Sequence, residues 1–485
     1  MLIIGKLSAP ETQHLGPPFF APSFTTENSM SSSYQFPQGF IWGTATAAHQ
    51  IEGAFDAEGR GASVWDAFTT RTGDTAAIAN DHYHRYEADL DLMASLGIRH
   101  YRLSIAWSRI IPTGRGQVNE AGLAFYERLI DAALARGITP YVTLYHWDHP
   151  QALETRYGGF RSREMADDLA DYAAVVVRRL GDRVTNWFTM NEIGCCTWLS
   201  YPVGEPSFDN HAPRVRLANA KAVNQTIHHA TLAHGKMVQA IRAHSPRPCK
   251  VALVDNPIVS VPLTESDADI AAARMAFQTN WTNGQILYPV LTGRWSPRWE
   301  SQAAASGELP EVMDGDFATI SQPLDAMGLN IYSGLYHRAS ENVSGTEQVP
   351  FTPNYPRLAM PWLQLMPESL YWSQRFIRES CGYLGDLYIT ENGCAVDDWL
   401  TPQGEVLDVD RIHYLRQYLR QLHRGIVEGF PTKGYFLWSF MDNFEWTWGY
   451  SKRFGIVWNS FDSQTRIPKA SAHWYAETIR QNRVV

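Results

Sequence analysis

The sequence predicts a single (β/α)8 barrel of the TIM type, an α/β fold with long loops between its strands and helices. Three observations carry that reading. The chain has 485 residues, about three to four times the commonest domain size, so it requires either several domains or one large core. From Phe36 onward, short apolar or β-branched runs alternate with amphipathic helical patterns, and no linker-like stretch divides them. Eight such runs in roughly 450 residues fit a closed barrel with long loops better than an open doubly wound sheet.

Taken in order, residues 1–33 carry Pro10, Pro17, Pro18, Pro22 and the run Ser31-Ser32-Ser33 without apolar periodicity. They read as a disordered tail, which leaves 34–485 as the barrel domain. The expected strands are Phe40 to Thr46, His100 to Trp107, Thr139 to Trp147, Val184 to Asn191, Lys250 to Asp255, Met327 to Tyr332, Leu387 to Thr390 and Lys433 to Phe440. Between them, Leu123, Tyr126, Ile130, Ala133 and Leu134 precede Gly137, and Ile412, Leu415, Leu419, Leu422 and Ile426 precede Gly429. Spacings of three and four bury one helix face on a sheet, and the glycine supplies the left-handed conformation that ends the helix.

Composition narrows the function. A hydrophobic share of 45% with 19% charged residues is that of a folded chain. Forty-one basic and 50 acidic residues leave a net charge of −9, which does not suit a surface that tracks phosphates, so nucleic acid is not an expected partner. The five cysteines are odd in number, with Cys195 and Cys196 adjacent and Cys249, Cys381 and Cys394 scattered, a usage that fits a reducing compartment. No apolar stretch of about eighteen residues is present, and Leu2-Ile3-Ile4 is too short for a signal-peptide core. The expectation is a cytoplasmic protein without a membrane partner. Seventeen Trp and 22 Tyr give either a large aromatic core or surfaces that hold flat, partly apolar ligands such as sugar rings.

A (β/α)8 barrel forms its active site at the carboxyl ends of its strands, so polar residues that close apolar runs are informative. They are Gln50, Arg102, His146, Asn191 with Glu192, Asn330 with Tyr332, Glu391 with Asn392, and Trp438. Glu192 closes the fourth run and Glu391 the seventh, and in an eight-strand ring those positions lie across the mouth from each other. Two carboxyls so placed suit glycoside hydrolysis. One, protonated, donates to the departing oxygen, and the other, ionised, attacks the anomeric carbon; a gap of about 5 to 5.5 Å gives retention through a covalent intermediate.

Six ordered motifs resemble glycoside hydrolase family 1, the β-glucosidase family: Phe36 to Thr46, Gln50-Ile51-Glu52-Gly53, Tyr145-His146-Trp147-Asp148, Asn191-Glu192, Ile389-Thr390-Glu391-Asn392-Gly393 and Asn443-Phe444-Glu445-Trp446. The resemblance implies retaining hydrolysis of small-molecule β-D-glycosides, with no metal and no organic cofactor. It places the acid/base at Glu192 and the nucleophile at Glu391. Gln50, His146, Asn191, Glu445 and Trp446 match groups that hydrogen-bond sugar hydroxyls, Trp438 matches the ring on which the sugar rests, and Arg102 and Tyr332 match groups that contact the nucleophile. Asn330 and Tyr332, at the sixth strand end, join the substrate-binding set. On physical grounds Arg102 would favour the ionised form of Glu391, while Glu192 needs a raised pKa to remain a donor.

The chain departs from the family where Ile193-Gly194 follows Asn191-Glu192 in place of Pro and an aromatic, which predicts a wider entrance lacking one stacking ring. His149 stands where Leu is usual and reads as a hydrogen-bonded structural residue. The loop Tyr201 to Arg214 is long, and Cys195 and Cys196 are expected near the entrance. His82, His84, His228 and His229 lack the spaced partners of a zinc site. The leading expectation is a retaining β-glucosidase acting on small β-glucosides or cello-oligosaccharides. The alternatives are a β-galactoside or β-fucoside preference on the same fold, or a sugar-binding barrel without catalysis.

Overall fold

The computed structural model describes residues 34–485 apart from Phe208. The tail expected over 1–33 lies outside the described residues. Eight strands close a barrel: β1 (Ile41–Ala45), β2 (His100–Ser104), β3 (Thr139–Tyr145), β4 (Asn186–Asn191), β5 (Lys250–Asp255), β6 (Ala326–Asn330), β7 (Asp386–Asn392) and β8 (Thr432–Trp438). Each pairs in parallel with its neighbours in chain order, and β8 returns to pair with β1 through Ile41 opposite Gly434 and Ala45 opposite Trp438. All eight correspond to the runs read from the sequence. The differences lie at the ends: Trp107 begins a short helix (Trp107–Ile110), and Tyr332 lies two residues beyond β6.

Helices follow the strands: α1 (His82–Ser95), α2 (Glu120–Ala135), α3 (Glu164–Leu180), α4 (Ala220–His244), α5 (Asp267–Thr279), α6 (Ser369–Cys381), α7 (Val409–Val427) and α8 (Ala470–Gln481). In α2 the stripe Leu123, Phe125, Tyr126, Leu129, Ile130 and Ala133 is buried, each large side chain being worth about 1.5–3 kcal/mol on transfer from water. Gly137 then turns left-handed at φ +68°. In α7, Tyr414 and Tyr418 face inward, and both hydroxyls donate to the Tyr332 carbonyl, at 3.1 and 2.7 Å. A covering helix thus fixes the backbone of a residue at the barrel mouth.

Inside the barrel, Tyr141, Phe188, Tyr388 and Phe436 form a ring layer, with Tyr141 at 4.9 Å from Phe436 and 6.2 Å from Phe188. The Arg102 guanidinium lies 5.7 Å from the Phe188 ring, so the layer is an apolar floor under the polar mouth. Two small sheets were not anticipated. One joins Ser260–Pro262, Leu335–Ala339 and Thr346–Val349; the other pairs Val457–Asn459 with Arg466–Pro468. Both lie in the connections after barrel strands. Among the described residues no helix is long and apolar enough to cross a membrane.

Candidate active site

Glu391 is the penultimate residue of β7. Its Oε1 accepts from Arg102 Nη1 at 2.5 Å and its Oε2 from the Tyr332 hydroxyl at 2.8 Å. Arg102, fully buried on β2, spends its other donors on Thr143 Oγ1 (3.2 Å), the Thr390 carbonyl (3.3 Å) and Asn191 Oδ1 (2.6 Å). Beyond Glu391, a Cβ on Gly393 would lie 1.8 Å from the Trp438 carbonyl oxygen. Only glycine allows the ends of β7 and β8 to approach this closely.

Glu192 is the first residue past β4 and precedes the short helix Ile193–Thr197. Its backbone is left-handed, at φ 48° and ψ 76°. Trp147 (φ +73°) and Trp446 (φ +49°), which line the same cavity, are left-handed as well. Such conformations cost non-glycine residues about 1–3 kcal/mol each and cluster where side chains must be aimed. Glu192 Oε1 accepts from Asn330 Nδ2 at 2.7 Å, and Cys195 Sγ lies 3.1 Å from Oε2. Thr390 Oγ1 donates to Asn330 Oδ1 at 2.8 Å, and Asn330 Nδ2 also reaches Asn191 Oδ1 at 3.0 Å. One buried chain of hydrogen bonds therefore runs from Glu391 through Arg102, Asn191 and Asn330 to Glu192.

Both carboxyls face a cavity of about 360 Å³ whose wall includes His146, Tyr332, Trp438, Glu445 and Trp446. The His146 ring lies nearly parallel to Trp438 and Trp446, with centroids 6.0 and 5.8 Å away. Its Nε2 faces Asn191 Nδ2 at 3.2 Å, which puts the ring proton on Nδ1. Gln50 Nε2 donates to Asn443 Oδ1 (3.1 Å) and the Phe444 carbonyl (2.9 Å). Gln50 Oε1, His146 Nδ1 and Glu445 Oε2 are buried without a protein partner. Buried polar atoms are ordinarily satisfied, so these three are free for a ligand's hydroxyl groups.

Burial pushes Glu192 up to about 8, reinforced by the nearby Glu391 and opposed by donation from Asn330 and Cys195. Burial also raises Glu391, and the Arg102 charge, the Arg102 hydrogen bond and Tyr332 oppose it. Arg102 favours the ionised form of Glu391, as expected of a cation, but burial outweighs it. Among the described residues Arg102 gives Glu391, and not Glu192, a cationic partner, which favours Glu391 to ionise first. Glu445 is raised to about 8 by burial and then by Glu391 and Glu192. Burial holds His146 neutral, well below its usual range.

Every site residue expected from the sequence stands in or directly behind this cavity. Gln50, Arg102, Asn191 and Asn330 are the supporting layer, and His146, Glu192, Tyr332, Glu391, Trp438, Glu445 and Trp446 are the wall. Sequence reasoning missed Asn256, which directly follows Asp255 at the end of β5, and Met360 and Trp362, which line the cavity from a loop without a strand-end signal. Cys195 does line it, whereas Cys196 is buried beside it. Added Cβ atoms at Gly194 would meet Thr282 at 3.6 Å and Trp281 at 4.0 Å. Trp281, which pairs with the half-exposed Trp198 at 5.1 Å, thus flanks the side where the sequence lacks its usual ring.

His149, His82 and His228 are structural. His149 Nδ1 is 3.0 Å from the Tyr145 hydroxyl, His82 Nδ1 is 2.8 Å from Asp89, and His228 Nε2 is 2.8 Å from Asp316. Among the described residues no group of three or more His, Cys, Asp or Glu is placed to hold a metal ion.

An eight-stranded barrel with two buried carboxyls facing one cavity from the ends of β4 and β7 has the frame of a glycoside hydrolase. The chain belongs to glycosyl hydrolase family 1, whose sequence pattern matches residues 32–484. It is 40% identical to Beta-glucosidase A of Thermotoga maritima over 92% of this chain and 98% of that protein. It is equally identical, 40%, to a bifunctional beta-D-glucosidase/beta-D-fucosidase of Bifidobacterium breve, over 92% of this chain and 98% of that one. The family 1 β-glucosidase structure from Thermotoga maritima superposes with a TM-score of 0.83 at 38% identity, covering 94% of this chain and all of that one. The same enzyme in complex with deoxynojirimycin gives 0.82 at 38% identity, over 93% of this chain and 100% of that one.

Proposed function

We propose that this protein is a retaining β-glucosidase that removes terminal non-reducing β-D-glucosyl residues from small β-glucosides or cello-oligosaccharides by double displacement. The observation that carries this reading is the contrast between two buried carboxyls in one cavity: Glu391 is held at both oxygens by Arg102 and Tyr332, whereas Glu192 has no cationic partner among the described residues and a raised pKa. Glu391 is the nucleophile and Glu192 the acid/base. Asn330 bonds Glu192 and lies close enough to Glu391 to lower its proton affinity. That shared neighbour supports the close carboxyl spacing of a retaining site over a gap of about 6.5–9.5 Å that admits a water.

In the first step Glu192 gives its proton to the glycosidic oxygen as Glu391 forms an ester with the anomeric carbon. In the second, the Glu192 carboxylate takes a proton from water, which displaces Glu391 and regenerates the acid. The second amide proton of Asn191 Nδ2 is available to the 2-hydroxyl, a contact that strengthens as positive charge develops at the anomeric centre. Gln50, His146, Glu445 and Trp446 take the remaining hydroxyls, and Trp438 is the platform for the ring. The free state of all five cysteines supports action in the cytoplasm.

The bifunctional Bifidobacterium relative favours a second reading, in which β-fucosides, which lack the 6-hydroxyl, are cleaved as well. The test is release of the free sugar, glucose from nitrophenyl β-glucoside and cellobiose and fucose from nitrophenyl β-fucoside, with proton NMR of the first sugar formed. The β-anomer is expected first. Absence of turnover on these substrates and on nitrophenyl β-galactoside would mean a non-catalytic sugar-binding barrel.

A further inference from the structure

Glu192 is faced by carboxyls and hydroxyls from every side: Glu391 on β7, Asp255 at the end of β5, Glu445 after β8 and Tyr332 after β6, with Cys196 on its own helix. Among the described residues no cation pairs with it. Its donors are the Asn330 amide at Oε1 and the Cys195 thiol at Oε2, at 2.7 and 3.1 Å. The thiol is well placed for this. The Cys195 N–H donates to the Glu192 carbonyl at 2.9 Å, which closes a turn and puts the side chain over the carboxyl. Asn256 Nδ2 then approaches Sγ at 3.5 Å from beyond β5.

We infer that Cys195 is a positioning residue for Glu192, its thiol holding Oε2 in both protonation states of that carboxyl. The inference rests on the acid/base role proposed for Glu192. The two neighbours differ in strength. The Asn330 amide can only donate, which biases the Glu192 proton onto Oε2. The Cys195 thiol also donates, but weakly, so its S–H rests on an Oε2 lone pair while the Oε2 proton points to the leaving group. Once that proton has gone, the same S–H donates to the carboxylate more strongly. The thiol keeps its own proton throughout, because burial and the neighbouring Glu192 raise it well above the usual range. No oxidant or thiolate enters the cycle.

The test uses Cys195→Ala and Cys195→Ser, with melting curves to check the fold. In Cys195→Ala, kcat for alkyl or oligosaccharide leaving groups is expected to fall about 3- to 10-fold, with a change within about twofold for dinitrophenyl glucosides, which need no proton. Loss of a donor to the carboxylate also moves the basic limb of kcat/KM up by about half a pH unit or more. Cys195→Ser keeps a donor and acceptor and is expected to restore both. Equal losses for both leaving groups, or an unmoved basic limb, would overturn the inference. A second measurement does not depend on the alanine variant folding. In the wild type, trapping with a 2-deoxy-2-fluoro glucoside leaves Glu192 ionised and should shift one S–H stretching band in the infrared, assigned by its loss in Cys195→Ser. An unshifted band would also overturn it. Failure of the underlying reading looks different: Glu192→Gln itself would then show no leaving-group dependence.

Discussion

Replacing Arg102 by Met removes the cation that touches Glu391 while keeping most of the apolar volume. The variant loses the 2.5 Å bond to Glu391 Oε1 and the 2.6 Å bond to Asn191 Oδ1 in a fully buried place. A hydrogen bond to a charged group is worth about 1.5–3 kcal/mol, and about 1.4 kcal/mol corresponds to one pKa unit. Glu391 should therefore bind its proton about one to two units more tightly in the variant. The sign follows from the role: Glu391 must be ionised to attack, so the acid limb of kcat/KM moves to higher pH by that amount. At the optimum the rate also falls, because Asn191 loses the Arg102 bond that holds it. The assay is the pH profile of kcat/KM on nitrophenyl β-glucoside for the wild type, Arg102→Met and Arg102→Lys. The lysine variant keeps a charge without the fork that joins Glu391 to Asn191 and should shift less. An acid limb that stays in place, or moves down, would refute the electrostatic role of Arg102.

Glu192→Gln is expected to lose about 10² to 10⁴ in kcat with poor leaving groups and much less with acidic phenols; kcat across a series of aryl glucosides checks this. Nitrophenyl β-glucoside should be preferred strongly over its 6-phosphate, measured as a ratio of specificity constants, because among the described residues Glu445 forms no ion pair whose cation a phosphate could share. Lys452 Nζ donates to the Ala359 carbonyl at 2.8 Å, Arg453 bonds Asp442 at 2.6 Å, and Arg71 is paired with Asp209. Glu445→Ser should narrow that ratio. Glu445→Gln should melt a few degrees above the wild type at pH 8 and together with it near pH 4. The folded-state pKa of Glu445 is raised to about 8, so as pH rises from the unfolded value near 4.3 to 8 the ionising unfolded chain gains on the native one, a penalty that glutamine does not carry. Scanning calorimetry at the two pH values measures it.

The barrel was legible because a parallel strand covered on both faces must be apolar along its whole length, and its polar terminus then stands out. Thr185 to Asn191 before Glu192 and Leu387 to Thr390 before Glu391 show this most plainly. The site followed from the same logic, since residues at neighbouring strand ends must meet at one mouth. What the sequence hid depends on local backbone or distant loops. The left-handed backbone at Glu192, which aims its carboxyl, has no signature in residue type. The contact of Cys195 with Oε2 follows from the turn that this conformation starts. Trp362 and Met360 come from a loop between β6 and α6, where no periodicity places a side chain. The raised proton affinity of Glu391 was obscured for another reason: Arg102 announces a charged partner, while complete burial is a property of the folded mouth.

The central claim is that Glu391 attacks the sugar and Glu192 does not. Its most direct test is to incubate the enzyme with 2,4-dinitrophenyl 2-deoxy-2-fluoro-β-glucoside, which forms the intermediate quickly and releases it slowly, and to map the labelled peptide by mass spectrometry. One fluoroglucosyl group per chain, esterified to Glu391 and released on addition of an acceptor, is the result expected here. A label on Glu192 or Glu445, or inactivation without a covalent adduct, would contradict it.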